Sequence, residues 1–580
     1  MKRTPLIVFL FLLLITAFAF LLSRCYRVQF QQHDRFVAQG LRAQKMLNPH
    51  HGCRGVILDT CGRILAAPRQ IRTVYADPQE IEEPKGVSNA LSDILDMGAH
   101  VICQRITDSR NPRYVVLKKE VELEEGIRAK RVHRGVGFQN NWVRDYPMGS
   151  LASHVVGLTN IDTSGIAGIE LEYNSRLSGQ ADRDIMLADV YRRPISMLQS
   201  AVTTPRTRTG QGVILTIDAT IQEFARKALL EQYRTYEAES AHATVINPKT
   251  GAILAMVSLP EFDRHNIVQD DPRLCNHAVN DQFEPGSILK PIVIAIGLDA
   301  GKIRTTEEIF CENGLYHGKG FGSIKEYNYK KYGNLTPKGI LINSSNIGMA
   351  KIGQRLGKKR LYQALDRFGF GKKTGIRLPG EAKGRLRHYR DWDGYSVTRI
   401  PFGHEISVNA LQLLRAFCIL CNDGRVVRPH LIKTFVDSGG VSEVRDSRFK
   451  AADQVGYLID PKVARWVIRD ALTAVVNEGT GHRAKLDRWQ VFGKTGTAQV
   501  AQSGQYGDDV YIASFISGAP AQDPAIVVLV SIRRPNRSLG MGYTGGRVSS
   551  PVAGKIIDQT LNYLESRGWD LVRKPQKESI

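Results

Sequence analysis

Residues 283–298 read Phe283-Glu284-Pro285-Gly286-Ser287-Ile288-Leu289-Lys290-Pro291-Ile292-Val293-Ile294-Ala295-Ile296-Gly297-Leu298. The Phe-Glu-Pro-Gly run is a turn, and the stretch from Pro291 to Leu298 is too apolar on every face for a surface helix, so Ser287 is expected to open a buried helix. Lys290 then falls one turn in, on the face of Ser287. A serine hydroxyl is a poor nucleophile until a base takes its proton. Burial and the positive end of a helix dipole both disfavour an ammonium ion, which suits Lys290 to that task. Pro291 is tolerated in the first turn. On its own, a Ser-x-x-Lys is more often a capping serine followed by a solvent lysine, and two further motifs decide between the readings.

The first is Ser344-Ser345-Asn346, ahead of the helix-like Ile347 to Gly353. Ser344 is expected to relay a proton, and Asn346, with a donor and an acceptor, to fix the lysine and a substrate amide. Read alone, Ser-Ser-Asn before a helix is an N-cap. The second is Lys-Thr-Gly, which occurs at Lys373-Thr374-Gly375 and at Lys494-Thr495-Gly496. The first copy lies in a glycine-punctuated turn. The second follows Trp489 to Phe492 and precedes two β-like runs, Asp509 to Ser517 and Ala525 to Ile532, so it is assigned to a strand of an antiparallel sheet. There Gly496 lets a peptide backbone approach and Lys494 holds an anionic terminus, helped by Thr495 and Thr497. Lys494 is therefore chosen over Lys373.

Competing motifs fail by count. A phosphate-binding loop ending at Gly493-Lys494-Thr495 needs glycine where Arg488 stands, and a zinc-protease helix from His404-Glu405 needs histidine where Val408 stands. The three motifs in this order resemble the signature of the penicillin-binding protein and serine β-lactamase superfamily. Longer stretches resemble its class B penicillin-binding proteins: Asn247 to Met256, Ala278 to Ser287, Thr374 to Glu381, and Gly546 to Val552. Within that class, Arg144-Asp145-Tyr146-Pro147, Gly157 to Asp162 and Gly165 to Glu170 resemble the division-specific, FtsI-type branch. Two departures stand out. Ile288 and Leu289 replace the usual Thr and aromatic between nucleophile and lysine, and Glu405 stands where many relatives have glycine.

The resemblance implies an α/β (α+β) catalytic domain, a mainly antiparallel sheet with flanking helices, carried on a noncatalytic mixed α/β pedestal. It implies that Ser287 attacks the D-Ala-D-Ala stem peptide of peptidoglycan, that the backbone amides of Ser287 and Thr497 form the oxyanion hole, and that β-lactams acylate Ser287. Glu381-Ala382-Lys383-Gly384 lacks the deacylating glutamate pattern of class A β-lactamases, so transfer to an amine is expected over hydrolysis. No metal or organic cofactor is required. The chain shows no glycosyltransferase pattern, so glycan polymerisation is assigned, by analogy, to a SEDS-family membrane partner among division proteins. An elongation-type transpeptidase and a catalytically silent division scaffold are the alternatives.

Leu6 to Ser23 is uncharged and long enough to cross a bilayer, with Lys2 and Arg3 ahead of it, so an anchor with a cytoplasmic amino terminus is expected. The rival, a signal peptide cleaved near Ala17-Phe18-Ala19, is disfavoured by an apolar run that continues through Leu22. The expected order is a cytoplasmic stub (1–5), an anchor (6–23), a pedestal (24–205) with a β-hairpin at Arg54 to Ala66, a link (206–235), the transpeptidase domain (236–570) and a basic tail (571–580). A formal charge of +22 raises nucleic acid as a partner, which the anchor argues against. Residues 351–390 carry thirteen Lys and Arg against Asp366 and Glu381, a basic region that suits anionic lipid or a lipid-linked wall precursor. Of the eight cysteines, Cys53 and Cys61 are spaced to pair in an oxidising compartment or to stay free thiols, and Cys418 and Cys421 belong to an apolar core helix.

Overall fold

A computed structural model describes residues 4–36, 45–50, 53–109, 111, 113–160, 162–179, 182–187, 209–264, 267, 271–436, 456–502 and 505–574. The chain divides into two units, Met1–Cys53 with Gly179–Gly210, and Arg54–Ser178 with Gln211–Ile580. In the first, Thr4–Tyr26 forms a 23-residue helix, about 34 Å long at 1.5 Å per residue, enough to span a bilayer core of about 30 Å. Its side chains from Ile7 to Leu22 are exposed and, apart from Thr16, apolar. Among the described residues it is the one helix long and apolar enough to cross a membrane. Lys45–His50 pairs antiparallel with Asp182–Leu187. Parts of the expected pedestal, among them residues 37–44 and 188–205, of the expected link, residues 206–208, and of the basic tail, residues 575–580, lie outside the described residues.

The second unit holds two large sheets and two short two-stranded ones. The amino-terminal one has six strands, and the expected hairpin at Arg54 to Ala66 supplies Ile57–Leu58 and the start of Ile64–Ala76. Val115–Lys119, Val136–Asp145, Gly212–Leu215 and Ile432–Val436 complete it, so this sheet draws strands from both sides of the boundary expected near residue 206. The Arg144 and Glu170 stretches meet here. The Glu170 carboxylate sits between Arg54 and Arg144, 2.6 Å from each Nε, with all three side chains buried. Removing one partner of such a triad would strand a buried charge, at a cost of about 3–5 kcal/mol.

The second sheet is antiparallel, with strands β1 (Ser240–Ile246), β2 (Ile253–Leu259), β3 (Phe492–Gln502), β4 (Gln505–Ala519) and β5 (Ile526–Arg533) in the order β3-β4-β5-β1-β2. The β-branched run of β5 explains its central place, buried on both faces. On one face, Ala241, Ala243 and Val245 pack against α1 (Ala219–Thr235), which Asp218 caps. On the other, Ile246, Phe492 and Leu529 meet α2 (Lys290–Asp299) and the helical subdomain, with α3 (Pro337–Asn343), α4 (Asn346–Leu356) and α5 (Ala410–Cys421). A last helix, α6 (Ser550–Ser566), returns to the α1 side. The α5 helix begins with a capping box between Asn409 and Gln412, and Cys418 and Cys421 are buried in it. All eight cysteines are thiols.

Among the described residues, five of the thirteen cations in residues 351–390 pair with carboxylates: Lys351 with Glu312, Arg355 with Glu307, Lys372 with Asp366, Arg377 with Glu172 and Arg387 with Glu405. The basic character of that region is thereby thinned. Glu405 has φ +61°, the left-handed backbone where glycine costs nothing. Its carboxylate compensates with hydrogen bonds from Arg387 (2.5 Å) and Ser396 (2.6 Å).

Candidate active site

Ser287 lies in a 3-10 turn, Gly286–Leu289, that runs directly into α2. From Lys290 to Gly297 every residue of α2 is buried, so the helix is apolar all round because it runs through the core. Lys290 is fully buried, one turn on from Ser287. Its Nζ donates to the Ser344 carbonyl (2.6 Å) and to Asn346 Oδ1 (2.8 Å), and lies 3.3 Å from Ser344 Oγ. Ser344 Oγ in turn donates to Ser287 Oγ at 2.9 Å. Among the described residues Lys290 thus meets the Ser287 hydroxyl through Ser344.

The Ser-Ser-Asn tripeptide splits in two directions. Ser344 has φ +56° at the carboxyl end of α3, a left-handed turn that costs a non-glycine residue about 1–2 kcal/mol. That turn sends Ser344 and Asn346 to the lysine and Ser345 into the core, where it caps α4 through Gly348 N (3.0 Å). The strained turn is held by Glu326. Its carboxylate, on a side chain only 4% exposed, accepts from Ser345 Oγ (2.5 Å), Asn346 N (2.7 Å) and Ile347 N (3.2 Å). It is thereby an anion on the amino terminus of α4. Glu326 belongs to no motif, and its only local signal is an acidic residue in the polar Lys325-Glu326-Tyr327-Asn328 stretch.

Lys494 stands on β3, fully buried, and donates to Ser344 Oγ at 3.1 Å and to its neighbour's carbonyl, Thr495 O, at 3.3 Å. The Thr495 hydroxyl shares a hydrogen bond with Thr480 (2.8 Å), and Thr497 Oγ1 accepts from Gly545 N (3.2 Å). Gly496 is required by packing rather than by backbone angle. A Cβ there would lie 2.8 Å from Ile288 Cγ1 and 3.3 Å from the Pro285 carbonyl, so the strand presses on the nucleophile turn. The other Lys-Thr-Gly is elsewhere: Lys373 is exposed, and Thr374 binds Glu381 through its N–H and hydroxyl, both at 2.6 Å.

The electrostatics of the site are set by this burial. Burial pushes the Lys290 amine down to about 7, while the Glu326 carboxylate pulls the other way. Lys494 is lowered well below its ordinary value by burial and by the nearby Lys290. A cleft of about 620 Å³ opens over Ser287, Ser344 and Asn346 on one side and Thr495 and Thr497 on the other. Tyr327 and Tyr511 also line it, and the hydroxyls of Tyr327 and Tyr543 meet at 3.2 Å. These aromatics, like Thr480, come from segments without a motif, and sequence reasoning did not name them. The arrangement offers a hydroxyl, a buried amine of lowered basicity reaching it through a second hydroxyl, and a second buried amine on that same second hydroxyl.

Residues 241–558 match the family model described as penicillin binding protein transpeptidase domain, and residues 49–211 match the penicillin-binding protein dimerisation domain. Stage V sporulation protein D of Bacillus subtilis is 30% identical over 578 residues, covering 98% of this chain and 87% of that protein. The probable peptidoglycan D,D-transpeptidase PbpC of Pseudomonas aeruginosa is 31% identical over 563 residues, covering 96% and 95%. Among solved structures, penicillin binding protein 3 of Mycobacterium tuberculosis, complexed with aztreonam, aligns with a TM-score of 0.68 at 25% identity, over 91% of this chain and 98% of that one.

Proposed function

The chain belongs to the class B penicillin-binding proteins, peptidoglycan D,D-transpeptidases that bind β-lactams, and from that premise we propose that it works through a serine acyl-enzyme on Ser287, in septal wall synthesis. The observation that carries the mechanism is the hydrogen-bonded chain from Ser287 Oγ through Ser344 Oγ to Lys290 Nζ. A neutral amine has two hydrogens and one lone pair. The Ser344 carbonyl and Asn346 Oδ1 take both hydrogens, at 2.6 and 2.8 Å, so the lone pair is left for the Ser344 hydroxyl, which for the relay turns its one hydrogen from Ser287 Oγ to Lys290 and accepts that of Ser287. As Ser287 attacks the penultimate D-Ala carbonyl, its proton passes to Ser344 and that of Ser344 to Lys290. The same relay, run backwards, protonates the departing D-Ala amine. The amides of Ser287 and Thr497 receive the developing oxyanion, and loss of one such donor typically slows the reaction about 100- to 1,000-fold. Lys494, with Thr495 and Thr497, holds the terminal carboxylate, whose charge favours the ammonium form that burial disfavours.

The stem peptide of the lipid-linked precursor donates the acyl group and an amine on a neighbouring stem receives it. The FtsI-type stretches support the septal reading. A SEDS-family glycosyltransferase and other division proteins are the proposed partners, with the amino terminus in the cytoplasm and the cleft outside. The test is exchange chemistry: full-length protein in detergent, a synthetic pentapeptide ending in D-Ala-D-Ala, and a D-amino acid acceptor, with products read by mass spectrometry. Exchange that disappears in Ser287→Ala is expected, and exchange that persists in that variant overturns the assignment. A fluorescent fusion should gather at midcell, and an even side-wall distribution would favour an elongation role.

A further inference from the structure

On the path into the nucleophile turn, ligand-type side chains converge outside the catalytic cleft. Cys275, His277 and Asp281 bring Sγ, Nδ1 and a carboxylate oxygen within 4.8 Å of one another. His277 Nδ1 lies 3.0 Å from each Asp281 oxygen and 4.0 Å from Cys275 Sγ. The backbone that carries them is tied to the sheet: His277 N donates to Ser258 Oγ (3.0 Å), and Ser258 Oγ donates to the Cys275 carbonyl (3.3 Å). Directly across from Ser258 in register stands His242 of β1, whose side chain is therefore on the same sheet face. His242 is 4% exposed, and its buried Nδ1 has no hydrogen-bond partner among the described residues. It is close enough to feel the charges of both Asp281 and His277.

We propose that Cys275, His277 and Asp281 bind a Zn2+ ion, with His242 Nδ1 filling the fourth position. A plain His277–Asp281 ion pair accounts for two of these groups and leaves a thiol and an unpartnered buried imidazole nitrogen beside them. A tetrahedral Zn2+ with bonds of about 2.0–2.3 Å separates its ligand atoms by roughly 3.3–3.8 Å, so the 3.0 and 4.0 Å spacings here bracket what the ion needs. Thiolate with imidazole selects zinc over magnesium or calcium. On binding, the Nδ1 proton shared by His277 and Asp281 and the thiol proton of Cys275 leave to solvent, and four metal–ligand bonds replace them. The other grouping of this kind among the described residues, Asp59, Cys61 and Asp218, is already occupied by a cation, because Arg63 donates to both carboxylates. Asp281 lies six residues before Ser287, so the ion would clamp the segment that delivers the nucleophile.

The test uses full-length protein in detergent, stripped with a chelator and titrated with Co2+, then with Zn2+. We expect a thiolate-to-cobalt charge-transfer band that saturates at one ion per chain, is displaced by Zn2+, and is accompanied by a higher melting temperature with Zn2+. Cys275→Ser and His277→Ala, checked for native circular dichroism, should bind at least about tenfold more weakly. His242→Ala should lose the intense absorption of tetrahedral cobalt. Absence of the charge-transfer band in the wild type, or equal affinity in Cys275→Ser, overturns the site. An unchanged cobalt spectrum in His242→Ala overturns the fourth ligand.

Discussion

Lowering the pH from 8 to 6 should slow acylation of the protein about tenfold. The effect originates at Lys290, whose amine burial brings down to about 7, against about 10.4 for a free lysine. The base works only when deprotonated, so the rate follows the neutral fraction and rises with pH. With a midpoint near 7, that fraction is about 9% at pH 6, one half at pH 7 and about 91% at pH 8, after which the profile is flat. An unperturbed lysine would be under about 1% neutral at pH 8 and its profile would climb tenfold per unit to about pH 10. The position of the plateau therefore separates the two cases. The assay is quenched-flow labelling with a fluorescent penicillin between pH 5 and 10, on full-length protein in detergent, read as the second-order rate constant. A profile that still climbs at pH 9, or one flat from pH 6 to 8, would refute the claim that buried Lys290 is the base.

Glu326→Gln keeps the shape and removes the charge that favours the Lys290 ammonium, so the midpoint of that profile should move to lower pH. The same change weakens charge-assisted bonds to the start of α4, each worth about 1.5–3 kcal/mol, and should lower the melting temperature. An unmoved or raised midpoint would show that the carboxylate does not act on the lysine. Gly496→Ala forces a methyl group against Ile288 and the Pro285 carbonyl. It should cost about 1–3 kcal/mol and cut the acylation rate at least about tenfold while circular dichroism stays native, and an unchanged rate would mean the strand does not set the nucleophile turn. Lys373→Ala should leave acylation intact and Lys494→Ala should reduce it by about 100-fold or more, the reverse of which would reassign the second lysine.

Local chemistry was readable wherever one short segment carries its own meaning. Phe283 to Leu298 announced a turn and a buried helix because the apolar run leaves no solvent face, although the first turn proved to be 3-10. Gly496 was read as room for a substrate backbone, whereas the neighbours that exclude a side chain there are Ile288 and the Pro285 carbonyl, which no local pattern shows. Ala525 to Ile532 was legible as a strand from its β-branched run, and the strand observed is Ile526–Arg533. Glu326 was not legible, because its role comes from reaching across to the amino terminus of α4, twenty residues on, and a lone acidic residue between polar neighbours has no periodicity. His242 and Asp281 were hidden in the same way, since only the pairing of β1 with β2 brings their segments together. The six-stranded sheet was hidden too: nothing local tells Ile432–Val436 to pair with Gly212–Leu215. The choice between the two Lys-Thr-Gly copies came from strand context, and the structure puts Lys494, not Lys373, on Ser344.

The most direct test of the account is to react the full-length protein with a β-lactam and locate the adduct by intact mass and peptide mapping. One adduct per chain, on the peptide containing Ser287 and absent from Ser287→Ala, is the predicted result. An adduct on another residue, or none at all on a folded protein, would contradict it.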